Sequence, residues 1–324
     1  MKAIKVTKTG DASVLKLSDK EPMPQPGPEQ VVVKVFAAGI NFVDIYQRAG
    51  TYPVGVPYTP GLEGAGTVEA VGANVTEVKR GARVAFNGQL GSYAEYLAVD
   101  AWKLIALPKT MAFEEGAAFP LQGMTAHYLL NDYYTPRKKD VVLIHAAAGG
   151  VGLLLVQWVK HLGATVIGTV SNLEKADIVR QAGAEHVILY TTQDFVAEAK
   201  RITEGRGAQL ILDGVSKTTF AGNLEAAATF GHIVLFGAAS GLADPLVPNS
   251  LMPKSLTVAG GTLFNAVTDR KSLLLRSNAV LEGLAQRWLK LRIGRVFSLA
   301  DAAEAHRYLE SRQSTGKLIL KIVE

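Results

Sequence analysis

An apolar run ending near His145 is followed by Ala146-Ala147-Ala148-Gly149-Gly150-Val151-Gly152, which opens directly into residues of helical spacing. The segment approximates a G-x-G-x-x-G fingerprint, with Ala147 in the first glycine position and Gly149 and Gly152 in the other two. Without Cβ atoms at Gly149 and Gly150 the backbone can come close to a pyrophosphate. The unpaired amides of the helix start supply donors at the positive end of a helix dipole. Gly152 lets the helix lie close to the strand before it. Taken alone, the glycines would also fit a structural tight turn. Set between a strand and a helix in an alternating region, they read as a dinucleotide site, and Leu155, Trp158, Val159 and Leu162 behind them have core spacing.

Which dinucleotide is decided one strand later. A site that prefers NAD usually ends this strand with an acidic residue on the adenosine ribose, whereas the strand expected over 165–170 ends in Val170-Ser171. Glu174 is close by. Ser171-Asn172-Leu173-Glu174 reads as a capping box in which Ser171 caps the helix and Glu174 reaches back to it. Lys175 beside it suits a 2′-phosphate, so NADPH is the cofactor expected.

These groups need a scaffold, and 324 residues are enough for two domains with separate cores. The first hundred residues read as short strands, at 31–37, 66–71, 83–86 and 93–99, separated by Gly- and Pro-rich connections. They suggest an irregular barrel or sandwich. A helical stretch over 113–131 follows. From Asp140, strands expected at 141–146, 165–170, 186–189, 210–213 and 232–236 alternate with helices starting at Val151, Asn172, Phe195 and Thr218. That alternation implies an α/β layout, a doubly wound parallel sheet with its ligand at the carboxyl ends of the strands. A helix over 301–312 and a strand over 317–323 close the chain, and a cleft between two domains is the expected place for the site.

Composition narrows the chemistry. There is no cysteine, which excludes disulfides, thiolate nucleophiles and thiolate metal sites. The formal charge of +5 is spread out, densest at Arg137, Lys138 and Lys139, and fits an anionic cofactor and a Lys-decorated surface better than nucleic acid. Residues 141–159 are long and apolar enough to span a bilayer, but the glycines in their middle favour a buried strand, turn and helix. The N-terminus shows no signal peptide, so the cytoplasm is the expected location.

Several segments together resemble one family over essentially the whole chain. They are Gly39-Ile40-Asn41-Phe42-Val43-Asp44, Tyr46, Tyr52-Pro53, Pro60-Gly61-Leu62-Glu63-Gly64-Ala65-Gly66, Gly81-Ala82-Arg83-Val84, His145 through Gly152, Gly168-Thr169-Val170-Ser171 and Phe236-Gly237. The sequence resembles the medium-chain dehydrogenase/reductase superfamily, and within it the zinc-free quinone oxidoreductases related to zeta-crystallin. The resemblance implies a GroES-like irregular β-barrel catalytic domain at 1–123 and 264–324, and a Rossmann doubly wound domain at 124–263. Zinc dehydrogenases of the superfamily hold their catalytic metal at three positions that fall here on Asn41, Leu62 and Leu121. Leucine has no donor atom, so no metal is expected.

Residue by residue, the resemblance places Asn41 beside the nicotinamide with Asp44 behind it, and Tyr46 and Tyr52 as walls of the acceptor pocket. It places Thr125 on the nicotinamide carboxamide, and Gly214, Phe236, Gly237 and Leu263 along the cofactor. The cofactor-binding turn is Ala148, Gly149, Gly150, Val151 and Gly152, with Ser171, Lys175, Tyr190 and Arg312 around the 2′-phosphate. Plainer readings stand beside these: Asp44 as a residue that only stabilises its turn, the tyrosines as half-buried barrel residues, Tyr190 as the end of a strand with its hydroxyl in solvent, and Arg312 as a cap on its helix. The implied activity is NADPH-dependent reduction of a small quinone without zinc; reduction of an enone, alkenal or enoyl thioester is the alternative. A crystallin-like NADPH- or RNA-binding role is a further one, although no aromatic-basic stripe supports RNA. A homodimer through Rossmann edge strands is implied too, with 256–261 as the nominated edge.

Overall fold

A computed structural model describes residues 1–323, beginning with two short antiparallel strands, β1 (Ala3–Lys5) and β2 (Lys16–Ser18). β3 (Gln30–Ile40) is the longest strand and leads into α1 (Phe42–Ala49). β4 (Glu63–Val71), β5 (Arg83–Asn87), β6 (Tyr96–Asp100) and β7 (Leu104–Ala106) follow. β3 pairs along both edges, and eight of its eleven residues are buried, on both faces of the strand, which is why its sequence reads as a nearly continuous apolar run rather than an alternation. The helical stretch expected over 113–131 is interrupted. α2 (Phe113–Gly116) is a single turn, Pro120 starts α3 (Pro120–Tyr128), and a π turn at Leu129–Tyr133 ends it. Proline suits a first helical position because it has no amide hydrogen to leave unpaired.

The chain then winds a parallel sheet from β8 (Val141–Ile144), α4 (Gly150–His161), β9 (Thr165–Val170), α5 (Leu173–Ala182), β10 (His186–Leu189) and α6 (Phe195–Ile202). It continues through β11 (Ala208–Asp213), α7 (Phe220–Ala226), β12 (Ala227–Leu235), β13 (Thr257–Gly260) and α8 (Leu263–Ala266). The strand order β10-β9-β8-β11-β12-β13 is doubly wound and reverses between β8 and β11. Ligands bind outside the strand ends at such a reversal, and the glycine turn leaves β8 there. The apolar window at 141–159 is thus strand, turn and helix, and among the described residues no helix is long and apolar enough to cross a membrane.

α9 (Arg270–Ala285), β14 (Ile293–Ser298), α10 (Ala302–Glu310) and β15 (Lys317–Lys321) complete the chain. β15 pairs antiparallel with β3 and parallel with β14, extending the first sheet to the order β14-β15-β3-β4-β5-β7. Two compact units result. One is Met1–Leu121, Val267–Asn278 and the chain from Leu291; the other is Gln122–Ala266 and Ala279–Lys290. The segment Ala279–Lys290 goes with the sheet of parallel strands for a packing reason. Val280 closes on Gly123, where a Cβ would come within 2.9 Å of it, and Trp288 stacks on His161 with ring centroids 4.1 Å apart.

Each unit has its own apolar core, led in the first by Val31, Val33, Val35, Phe86 and Leu320 and in the second by Leu143, Ile167, Ile211 and Ile233.

Candidate active site

In the second unit, the turn after β8 is built by hydrogen bonds that aim it across the sheet. His145 N donates to Leu212 O at 3.0 Å, Ala147 N to Thr169 O at 3.1 Å and Gly149 N to Ala146 O at 2.9 Å. Ala146 takes φ 50°, so β8 stops two residues short of the extent expected. The glycines have different reasons to be glycine. A Cβ on Gly150 would overlap the Gln122 amide, and one on Gly152 would lie 2.8 Å from Ala147 Cα. A Cβ on Gly149 would meet only Ala146 O, at 3.2 Å. Gly149 thus has only the carbonyl of its own turn against it, beside the unpaired first-turn amides of α4, with Val151 in that turn and Ala148 buried behind. This is the shape and chemistry a dinucleotide pyrophosphate needs.

Below the turn runs a buried polar ladder that sequence reading missed. Asn223 Nδ2 donates to Asp213 Oδ2 at 2.6 Å, so its Oδ1 faces His145 Nε2 at 2.7 Å and takes that proton. His145 Nδ1 then accepts from Thr169 Oγ1 at 3.0 Å. Burial holds the imidazole below its ordinary pKa, in keeping with a neutral ring. Asp213 also accepts from the amides of Val215 and Ser216 and from Thr219, which fixes the loop carrying Gly214. Gly214 and Gly237 lie back to back, since a Cβ on Gly237 would stand 2.9 Å from Gly214 O, and the Phe236 ring crosses Gly214.

At the end of β9 the cap differs from expectation. Asn172, not Ser171, caps α5, accepting from Lys175 N at 2.9 Å; the helix starts one residue later than a Ser171 cap requires. Ser171 O instead accepts from Thr191 Oγ1 at 2.9 Å, and Tyr190 N donates to Val170 O at 3.1 Å. Ser171, Lys175 and Tyr190 are thereby gathered at the ends of β9 and β10. Lys175 is half-buried, and desolvation pushes its pKa down against the opposing pull of the Glu174 charge. Thr125 is buried on α3, and Leu263 is buried at the start of α8. Arg312 belongs to the first unit, just past α10, with φ 60°.

In the first unit, three strand ends meet. Register sets Leu318 opposite Ile40 and Ala38 opposite Gly64, so Lys317, Asn41 and Glu63 become neighbours. Asn41 holds the N-cap position of α1, yet its side chain turns to Glu63 and Lys317, and Asp44 Oδ2 accepts the Asn41 amide at 2.8 Å. Asp44 is fully buried, and that burial raises its carboxyl to about 7 against the pull of its hydrogen bonds. Tyr93 OH donates to the same Oδ2 at 3.0 Å and contacts His306 Nε2 at 3.1 Å. Arg48 Nη1 points at His306 Nδ1 from 3.3 Å and forms an ion pair with Glu310. The Tyr46 and Tyr52 rings lie 5.2 Å apart at the end of α1, Tyr52 exposed. Glu63, Lys317, Tyr93, Arg48 and His306 were not picked out from sequence as site residues.

An antiparallel unit carrying the Asn41 cluster, and a doubly wound unit carrying a glycine turn at its switch point, define the medium-chain dehydrogenase/reductase class. Residues 27–109 match the model of the alcohol dehydrogenase GroES-like domain, and 150–276 that of a zinc-binding dehydrogenase. The chain is 41% identical to a quinone oxidoreductase of Pseudomonas aeruginosa over 98% of its own length and 99% of the relative's. It is 38% identical to a 2-haloacrylate reductase of Burkholderia over 91% of each chain. The solved structure of Escherichia coli quinone oxidoreductase complexed with NADPH superposes with a TM-score of 0.96 at 36% identity, covering 99% of this chain and 100% of that one. The chain belongs to the zinc-free quinone oxidoreductase branch of the superfamily. A catalytic zinc, which the second model's description implies, does not fit. Two of its three positions are Leu62 and Leu121, and among the described residues no three His, Cys, Asp or Glu side chains form a group able to hold a metal.

Proposed function

We propose that the chain is an NADPH-dependent quinone oxidoreductase that passes reducing equivalents to small quinones without zinc. The observation that carries this reading is the glycine turn at Gly149–Gly152 with its unpaired helix-start amides, in a chain whose metal positions hold Asn41, Leu62 and Leu121. NADPH in the E. coli structure supports the cofactor assignment, as does the absence of an acidic residue at the end of β9. When bound, the nicotinamide supplies the hydride. The protein binds, orients and supplies hydrogen bonds, which suffices for a conjugated carbonyl because its carbon is already electrophilic.

In this reading the amides at Gly149–Gly152 hold the pyrophosphate, and Ser171, Lys175, Tyr190 and Arg312 surround the 2′-phosphate. Gly214, Phe236, Gly237 and Leu263 border the cofactor, and Thr125 holds its carboxamide. Asn41 faces the nicotinamide end, Asp44 supports it, and Tyr46 and Tyr52 line the acceptor pocket. The test is NADPH oxidation with 1,4-benzoquinone and naphthoquinones. Turnover with NADPH at least about tenfold better than with NADH in kcat/KM, a difference of about 1.4 kcal/mol, is expected. The Burkholderia relative favours one other reading, reduction of an enone or an acrylate-type alkene. Turnover of such compounds with none of any quinone would move the function there.

A cytoplasmic homodimer is part of the proposal. Among the described residues β13 pairs only with β12, so its outer edge is open, and Leu242, Val247 and Met252, in the segment between β12 and β13, are exposed. A monomer mass in sedimentation equilibrium would remove the dimer.

A further inference from the structure

Lys317 is 2% exposed and Glu63 0%, and charges so buried persist only with full sets of partners. Lys317 Nζ donates to Ile40 O at 3.2 Å, to Asn41 Oδ1 at 2.7 Å and to Glu63 Oε1, which accounts for all three ammonium hydrogens. Glu63 Oε1 also accepts from Asn41 Nδ2 at 2.7 Å, and its Oε2 accepts from Leu121 N at 2.7 Å. A Cβ on Gly39 would collide with this carboxylate, so the glycine makes room for it.

The pair leaves the Asn41 amide one orientation. An ammonium has only donors and a carboxylate only acceptors, so Oδ1 must face Lys317 and Nδ2 must face Glu63. The second Nδ2 hydrogen points to Gly39 O, at a long 3.5 Å. What Asn41 has left for a ligand is one lone pair on Oδ1. The Lys317–Glu63 pair thus ties the Asn41 side chain to the backbone at Leu121 as well, through Glu63.

We infer that Lys317 is a positioning residue: with Glu63 it holds Asn41 in the orientation of a hydrogen-bond acceptor. The group it receives is a hydroxyl or carboxamide N–H at the nicotinamide end of the cofactor, not a quinone oxygen. This rests on the proposed reading that Asn41 faces the cofactor.

The experiment is a kinetic double-mutant cycle with NADPH and 1,4-benzoquinone, using N41A, E63Q/K317M and their combination. E63Q/K317M removes both buried charges at nearly constant volume, so the fold is expected to hold, as a melting curve will show. Its kcat is expected to drop about tenfold to hundredfold, the scale of a displaced positioning group. KM for NADPH should change by less than about threefold, because uniform binding is untouched. Added to N41A, the pair of changes should cost nothing more. E63Q alone, which leaves Lys317 its two other oxygen partners, should fold and show a smaller loss, also in kcat. Unchanged kcat in E63Q and E63Q/K317M, or losses that multiply with that of N41A, overturns the positioning role and leaves the reading of Asn41 standing. Wild-type kcat in N41A overturns both.

Discussion

Gly149→Val is expected to raise the dissociation constant for NADPH at least about a hundredfold while leaving the melting temperature nearly unchanged. Hydrogen bonds from amides to a charged partner are worth roughly 1.5–3 kcal/mol each, so losing one or two reaches that factor. The fold should lose little by the change because a Cβ there presses on one atom, Ala146 O at 3.2 Å, which has to give by only a few tenths of an ångström, and the residue sits at φ −73° and ψ 173°, which any residue adopts. The branched side chain would stand where the proposed reading puts the phosphates. Gly152→Val is the contrasting control. Its Cβ would press on the backbone of Ala146 and Ala147, so stability and binding should fall together. Titration of NADPH by fluorescence, beside thermal melts, separates the cases. Wild-type affinity in Gly149→Val would mean that the glycine turn serves something other than the cofactor.

What the sequence made legible was local. The glycine turn shows because strand, turn and helix lie within about twenty consecutive residues and each type has its own period. The alternation of β8 through β12 with helices is of the same kind. Errors fell where neighbouring residues compete, as when Asn172 took the cap that Ser171 could also have filled. α9 went unread because Arg270–Ala285 gathers its apolar residues on no single stripe. The polar clusters were hidden for a different reason. Lys317 and Glu63 are 254 residues apart, and Tyr93 and His306 are 213 apart. Only sheet register and the docking of α10 bring them together. A lone lysine opening the last strand carries no sign that its ammonium is buried; the nearest available signal was Glu63, a charged residue inside an otherwise small and apolar run, Gly61-Leu62-Glu63-Gly64-Ala65-Gly66.

Asp44 and His306 are expected to cancel each other's effect on stability between about pH 4 and 6.5, and removing either should expose the other. Arg48 can only donate, so His306 Nδ1 accepts and its Nε2–H donates to the Tyr93 oxygen; Tyr93 then gives its proton to Asp44. Burial, with the Arg48 charge, keeps His306 neutral down to about 3, from an ordinary 6.5. Burial keeps Asp44 protonated up to about 7, from an ordinary 3.8, with Lys317 opposing and Glu63 assisting. Between about pH 4 and 6.5 the unfolded chain therefore holds a proton on the histidine, and the folded chain holds one on the aspartate. The net uptake on unfolding is close to zero, so this pair adds no slope.

In Asp44→Asn only the histidine remains: its contribution is complete above pH 6.5 and is lost as pH falls toward 3, so stability should rise with pH. In His306→Gln, whose amide can still accept from Arg48 and donate to Tyr93, only the aspartate remains: its contribution is complete below pH 3.8 and is lost as pH rises through 7, so stability should fall. Each slope is at most about 1.4 kcal/mol per pH unit, which over two units is roughly 5–10 °C in the melting temperature of a unit this size. All other titrating groups are shared, so the divergence of the two variants' melting profiles from pH 4.5 to 6.5 isolates the pair. Profiles parallel to the wild type in both variants would mean that burial does not hold Asp44 protonated and His306 neutral in the folded chain.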